Sequence, residues 1–428
     1  MERKEKVILR RVSEYEPHSI QKIIAEGLDE LGLSGKIKGR ITLKPNVVMA
    51  HPKVAPSAYT RPEFVDGVLN ALKEYIAEDA ELTIAEKCGA GLPTSRMFRR
   101  AGYYRLKKTH RIHLAPIEEA RKKTVRLKKG KIHETIKTSK DIAEADFLFY
   151  MPKLKTNTLT QGLTASIKLN IGILCDRERM WNHNYNLDEK IVDLLEVGCP
   201  DFIATDAIEI SLGGNHLTQR GYPLGVILMA RNPVAHDVVC AHILNLNPKY
   251  IHHIRLASER GYGPLDLDNI IIAGDITLEE IQQKTKTWDL GVMRIEDVRC
   301  SIEAICGEPY CSGGCHGLLL DWLHMIKDRK PRLWSNLPAW KVVVGKYSGD
   351  VKADRLMILG TCSEVQGTLT AKRKVRIKGC PPRHKDLVLW FFLKTGILNP
   401  LFRPDLILDA YPCFFLSWGR KLLKALRL

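Results

Sequence analysis

The sequence predicts an α/β protein: a mainly parallel sheet flanked by helices, followed by a second, smaller α/β unit that carries cysteines. Three observations support this. Short apolar and β-branched runs alternate with stretches of helical spacing over residues 1–275, the formal net charge of +17 is concentrated toward the C-terminus, and six of the 11 cysteines crowd between residues 300 and 380. Strands separated by helices build parallel sheets covered on both faces, with ligands bound beyond the carboxyl ends of the strands.

The elements follow in order. "RITLKPNVV" (40–48) reads as a strand, and "RPEFVDGVLNALKEYIAE" as a helix with Pro62 in its first turn, where a missing N–H costs nothing. "AELTIAEKC" (80–88), "ADFLFYMPKLK" (145–155), "DFIATDAIEI" (201–210), "PLGVILMAR" (223–231) and "NIIIAGD" (269–275) complete the strand set, and "NPVAHDVVCAHILNL" (232–246) is a helix opened by Pro233. This unit is expected to span residues 1–285. In the second unit, 286–428, "KVVVG", "RLMILGTC" and "KVRIKGC" are three strands. The last two each run through a glycine into a cysteine. Were they parallel neighbours, Cys362 and Cys380 would share one sheet edge.

A hydrophobic content of 45% against 27% charged residues allows a sizeable core and excludes a disordered chain. No uninterrupted apolar run approaches the roughly 20 residues of a membrane span. "MERKEKVILRRV" lacks a signal peptide's apolar stretch, so a cytoplasmic location is expected. The final "FFLSWGRKLLKALRL" can form a basic amphipathic helix, suited either to peripheral membrane contact or to packing on the domain. From Lys327 onward there are 21 Lys and Arg against 7 Asp and Glu. Such an end attracts an anionic partner, whether an acidic ferredoxin-like electron carrier, a nucleic acid, a membrane surface or a charged cofactor.

An odd number of cysteines in a cytoplasmic chain points to metal ligation or catalysis before disulfides. Cys311 and Cys315 are separated by three residues, two of them glycine, and an apolar helix follows. With Cys362 and Cys380 they supply four thiolates, which suit tetrahedral zinc or a 4Fe-4S cluster. Cys300 or Cys306 could stand in for Cys311. The long gaps on either side of Cys362 do not suit a compact zinc finger. "GCPPRHKDLVLWFFLKTG" resembles the Gly-Cys-Pro-Pro segment of the cluster-bearing small subunits of respiratory complex I and nickel-iron hydrogenases. That likeness implies that Cys380 ligates a 4Fe-4S cluster, with zinc as the alternative.

The first unit carries lysines at expected strand ends. "LKPNV" places Lys44 and Asn46 after one strand, and "MPKLKTNTLTQGLTASIKLNIG" places Lys153, Lys155, Thr156, Asn157, Lys168 and Asn170 after another. Asp206 is expected at a third strand end, before "GGN". Lysines interleaved with amide and hydroxyl groups make a pocket for an anionic small molecule. "NHN" (182–184) and "IHHI" (251–254) carry no recognisable pattern. Taken together, "LKPN", "PKLKT…S.K.N.G", the aspartate-bearing strand with its glycine loop and "NPVAHD" resemble the family named domain of unknown function 362, over about residues 40–275. The chain departs from the family pattern in placing Leu169 between Lys168 and Asn170. The resemblance implies iron–sulfur association in many members, but no reaction.

Two functional readings result. One is an iron–sulfur protein, a redox enzyme or electron-transfer protein acting on an anionic small molecule. The other is a zinc-stabilised nucleic-acid-binding protein using the basic end, against which stands the absence of aromatics in "AKRKVRIKG".

Overall fold

The computed structural model describes residues 4–77, 80–215, 220–382 and 391–408. The first 12 strands are β1 (Glu5–Arg11), β2 (Arg40–Pro45), β3 (Glu81–Glu86), β4 (Ile112–Pro116), β5 (Lys122–Arg126), β6 (Thr135–Ser139), β7 (Phe147–Met151), β8 (Lys153–Asn157), β9 (Gly162–Thr164), β10 (Phe202–Leu212), β11 (Arg220–Ala230) and β12 (Ile270–Gly274). Ten of them form one sheet in the order β12-β1-β11-β10-β7-β2-β3-β4, with β8 and β9 attached beside β10. The β10–β7–β2–β3–β4 pairings are parallel, whereas β11 runs antiparallel to both β1 and β10. β7, "FLFYM", is buried along its whole length, as a strand covered on both faces must be.

Three expectations shift in detail. The stretch 145–155 is two strands, because Pro152 cannot donate to the ladder and separates β7 from β8. Lys153 and Lys155 therefore lie within β8 and not in a loop. Asp206 is inside β10 and not at its end, since β10 continues past it alongside β8, with Asp206 opposite Lys153 and Ser211 opposite Lys155. β1, which begins close to the charged N-terminus, is a full member of the sheet.

The second sheet contains β13 (Ile302–Cys306), β14 (Trp340–Tyr347), β15 (Val351–Val365) and β16 (Leu369–Ile377), all parallel and in chain order. β14, β15 and β16 follow one another through short turns, so the chain winds as a coil. Leu356 pairs with Lys341 on one side and with Lys374 on the other, advances of 15 and 18 residues per rung. The helix Cys315–Arg329 leads from β13 back to β14. Its Leu319, Leu323 and Ile326 share one apolar core with Val342, Val344 and Leu359 of the second sheet and with Ile41, Leu43 and Phe149 of the first.

Edge strand β16 carries Lys372, Arg373, Lys374 and Arg376 exposed. Charged residues on an edge discourage pairing with another chain, which accounts structurally for part of the basic excess. Among the described residues, no helix is long and apolar enough to cross a membrane. The amphipathic segment 414–428 lies outside the described residues, as do Cys413 and residues 383–390 after the proline pair.

Candidate functional site

The carboxyl end of β2 and strand β8 carry Lys44, Lys153 and Lys155, all buried, and Lys168 follows on the helical turn after β9. Lys44 meets Glu86, the last residue of β3, in a fully buried ion pair. Burial pushes the Glu86 carboxyl up to about 7 and the Lys44 amine down, each toward its neutral form, while their attraction opposes both shifts. Gly172 makes this pair possible, because a Cβ there would stand 2.1 Å from Glu86 Oε1.

Lys153 belongs to a different network. Its Nζ donates to Asp206 Oδ1 (3.1 Å) and to Tyr15 Oη (2.7 Å), and Tyr15 in turn donates to Asp206 (2.7 Å). Asp206 Oδ2 accepts from the Arg61 amide. Thr156 Oγ1 accepts from Gly214 N, and Asn170 Oδ1 accepts from Tyr150 Oη. These residues hold the sheet ends and the glycine loop in place.

Lys155 and Lys168 differ. Lys155 is fully buried and Lys168 half-buried, and among the described residues neither makes an ion pair. Lys155 Nζ donates to Asn46 Oδ1 at 2.8 Å, while Lys168 has only Thr164 Oγ1 at 3.5 Å. Burial drops each amine to about 7. Lys168 adds to the shift at Lys155, whereas Asp188 and Asp321 counter it at Lys168. Lys168 sits on a helical turn whose first amides are fixed by Asp237, which accepts from Ser166 N, Ser166 Oγ and Ile167 N.

Asn46, Glu86, Lys155, Asn157 and Lys168 line one cavity of about 110 Å³, room for about four waters at their liquid volume. Lys87 and Arg179 also border it but are committed. Arg179 donates to the carbonyls of Lys87, Cys88 and Ile171, and Lys87 pairs with Asp176. Asn157 Oδ1 accepts from Leu159 N, but its Nδ2 is buried without a partner. The free donors of the cavity are thus two amines and an amide. A larger cleft of about 650 Å³ opens at the far end of the sheet, where Lys6 already pairs with Glu30.

The cavity's remaining wall comes from the cysteine region. Leu318, on the helix that begins at Cys315, lines it, as does His183. His183 Nδ1 donates to Gly313 O at 2.7 Å, within the Cys311–Cys315 turn, and Asn184 Nδ2 donates to Cys380 Sγ at 3.6 Å. "NHN", featureless in the sequence, is therefore the wedge between cavity and cysteines. Lys190 braces it, donating to the carbonyls of Glu178, Arg179 and Trp181.

β15 and β16 are parallel neighbours, and Leu359 pairs with Ile377, so Cys362 and Cys380 each stand three residues past one rung of the ladder. The two loops are tied directly, with Thr361 N donating to Gly379 O (3.0 Å) and Gly379 N to Thr361 Oγ1 (2.9 Å). The thiols of Cys362 and Cys380 lie close enough to act electrostatically on both Cys311 and Cys315. Burial, followed by these neighbours, raises Cys315 further than Cys311, which reaches about 11. Cys300 and Cys306 stand apart, the first 3.4 Å from the Ile302 amide, the second beside Glu296. Among the described residues, no three His, Cys, Asp or Glu side chains converge on a single ion position.

Space around the thiols is kept by glycine. A Cβ on Gly314 would lie 2.5 Å from Cys311 Sγ, and one on Gly360 2.7 Å from Cys315 Sγ. Gly360 also has φ +105°, a conformation that side chains rarely adopt.

Glu86, Arg179, His183 and Asn184 were not singled out from the sequence. Only Glu86 carried a signal, as an acid closing a strand beside a lysine.

Among curated proteins, none matches the chain. Among solved structures, that of the lactate racemase apoprotein from Thermoanaerobacterium thermosaccharolyticum is similar at a TM-score of 0.36 and 14% identity. The match covers 56% of this chain and spans 57% of that one. Residues 41–242, the segment that carries Lys44 through Asp237, match the family model described as Domain of unknown function (DUF362).

Proposed function

We propose that the chain is an iron–sulfur protein that holds an anionic small molecule on Lys155, Lys168 and Asn157 beside a 4Fe-4S cluster held by Cys311, Cys315, Cys362 and Cys380. One observation carries the reading. The cavity, whose Lys155 and Lys168 amines have no ion-pair partner among the described residues, shares His183 and the start of the helix Cys315–Arg329 with the turn that carries Cys311 and Cys315.

The residues suit the group. Four thiols from three segments stand within electrostatic reach of one another, and two glycines clear the space beside them. A cubane binds each thiolate to a different iron, so its ligands stand farther apart than those converging on one ion. When bound, it exchanges one electron at a time.

The chain's own groups would do the rest. Lys155 and Lys168 neutralise the ligand, Asn157 Nδ2 donates to it, and Glu86 can take or release a proton at the cavity wall. Cys362 and Cys380 are exposed, and Arg376, which donates to the carbonyls of Thr361 and Ser363, puts positive charge beside them. That face suits an acidic ferredoxin-like electron donor.

Anaerobic purification followed by iron, sulfide and zinc analysis tests the reading. About four irons per chain with broad absorption near 400 nm are expected for a four-cysteine cubane. Stoichiometric zinc without iron would overturn it.

A further inference from the structure

His183 is placed to do more than separate the cavity from the cysteines. Its Nδ1 faces a carbonyl oxygen, Gly313 O at 2.7 Å, which can only accept. The proton must therefore sit on Nδ1, and Nε2 is left with a lone pair. His183 lines the cavity, and Nε2 is its ring nitrogen not engaged by Gly313. Burial, with Lys190 next in weight, disfavours the imidazolium, so this tautomer persists across the neutral range. Of the other side chains around the space, Lys155, Lys168 and Asn157 Nδ2 are donors, the last buried and without a partner among the described residues, while the acceptors Glu86 and Asn46 Oδ1 are already engaged by Lys44 and Lys155.

We infer that His183 accepts a hydrogen bond from a hydroxyl carried next to the ligand's anionic group, so that the cavity selects a small hydroxy acid over a plain carboxylate of equal charge. The assignment rests on the anion-cavity reading above. An amino group would serve less well, because an ammonium would add a third cation beside Lys155 and Lys168. The cavity's volume of about 110 Å³ limits the ligand to a small molecule.

Calorimetric titration of the full chain with glycolate, acetate and inorganic phosphate tests this. The wild-type protein is expected to bind glycolate about 3- to 10-fold more tightly than acetate, the contribution of one hydrogen bond. In His183→Phe that ratio should fall to near one while acetate affinity is retained. His183→Gln, which restores a side-chain acceptor, should recover part of it. Equal affinity for glycolate and acetate in the wild type, or a preference that survives in His183→Phe, would overturn the role of His183 and leave the anion cavity standing. Phosphate bound more tightly than glycolate would mean the site reads charge alone, against the hydroxy-acid assignment. Failure of all three probes to bind would overturn the anion cavity itself.

Discussion

Lys155 and Lys168 should make stability rise with pH, and the size of the effect follows from their burial. An unfolded lysine titrates near 10.4, whereas these two release their protons at about 7 in the folded chain. Between those values the unfolded state binds more protons than the folded state, so unfolding free energy increases as pH rises from about 7 toward 10. Integrated from pH 7 to 9, with half-protonation at the start, each lysine contributes about 2 kcal/mol. Lys168→Met removes one amine and relieves the like-charge repulsion on Lys155, so the variant should lose at least about 2 kcal/mol of this dependence. The assay is urea unfolding of both proteins at pH 7, 8 and 9. Taking the difference between them cancels Glu86, Lys190 and the other groups common to both. Parallel stability–pH curves would refute the reasoning, since they would mean that Lys168 is hydrated or paired in the folded protein. A bound anion should suppress the effect by holding the lysines charged, so glycolate ought to flatten the wild-type curve and leave the variant's nearly unchanged.

Other substitutions separate the parts of the site. Cys380→Ser should lower iron content and destabilise the second sheet, whereas Cys199→Ser, at the far end of the first sheet, should keep its iron; metal analysis of the two decides. Gly360→Ala forces a Cβ toward Cys315 Sγ at a positive φ, so it should cost on the order of 1–3 kcal/mol and make the cluster labile, read as loss of 400 nm absorbance over time. Lys153→Met strips the buried Asp206 of its cation and should destabilise by about 3–5 kcal/mol in denaturant unfolding. Lys155→Met at pH 7 should instead stabilise the anion-free protein while abolishing glycolate binding, so the two lysines should prove opposite in sign.

Much of this was written locally in the chain. A parallel strand places whatever follows it at a common edge, so "GTC" and "GCPP" after two apolar runs were enough to bring Cys362 and Cys380 together. The lysine cluster was legible as a cluster, because β8 and the ends of neighbouring strands meet at one side of the sheet. Its division of labour was not. Whether a lysine is spent on a carboxylate or left for a ligand depends on Glu86 lying beside Lys44, and on Asp206 lying opposite Lys153, both set by strand order. The role of His183 was hidden for the same reason, since its value comes from Gly313, 130 residues away, and from a cavity formed by four separate segments.

The coil of the second sheet bears on how related chains are to be recognised. Cys362 and Cys380 are one 18-residue rung apart, but the sheet fixes only their distance past the paired stretch, three residues beyond Leu359 and Ile377. Insertions in the turn around Gly367 would lengthen the interval between the cysteines and leave their meeting point unchanged. A search pattern with a fixed count of residues between them would therefore discard chains that keep the same constellation. The property to carry forward is an offset from the end of an apolar strand, with a glycine just before the sulfur, and the interval should be left free.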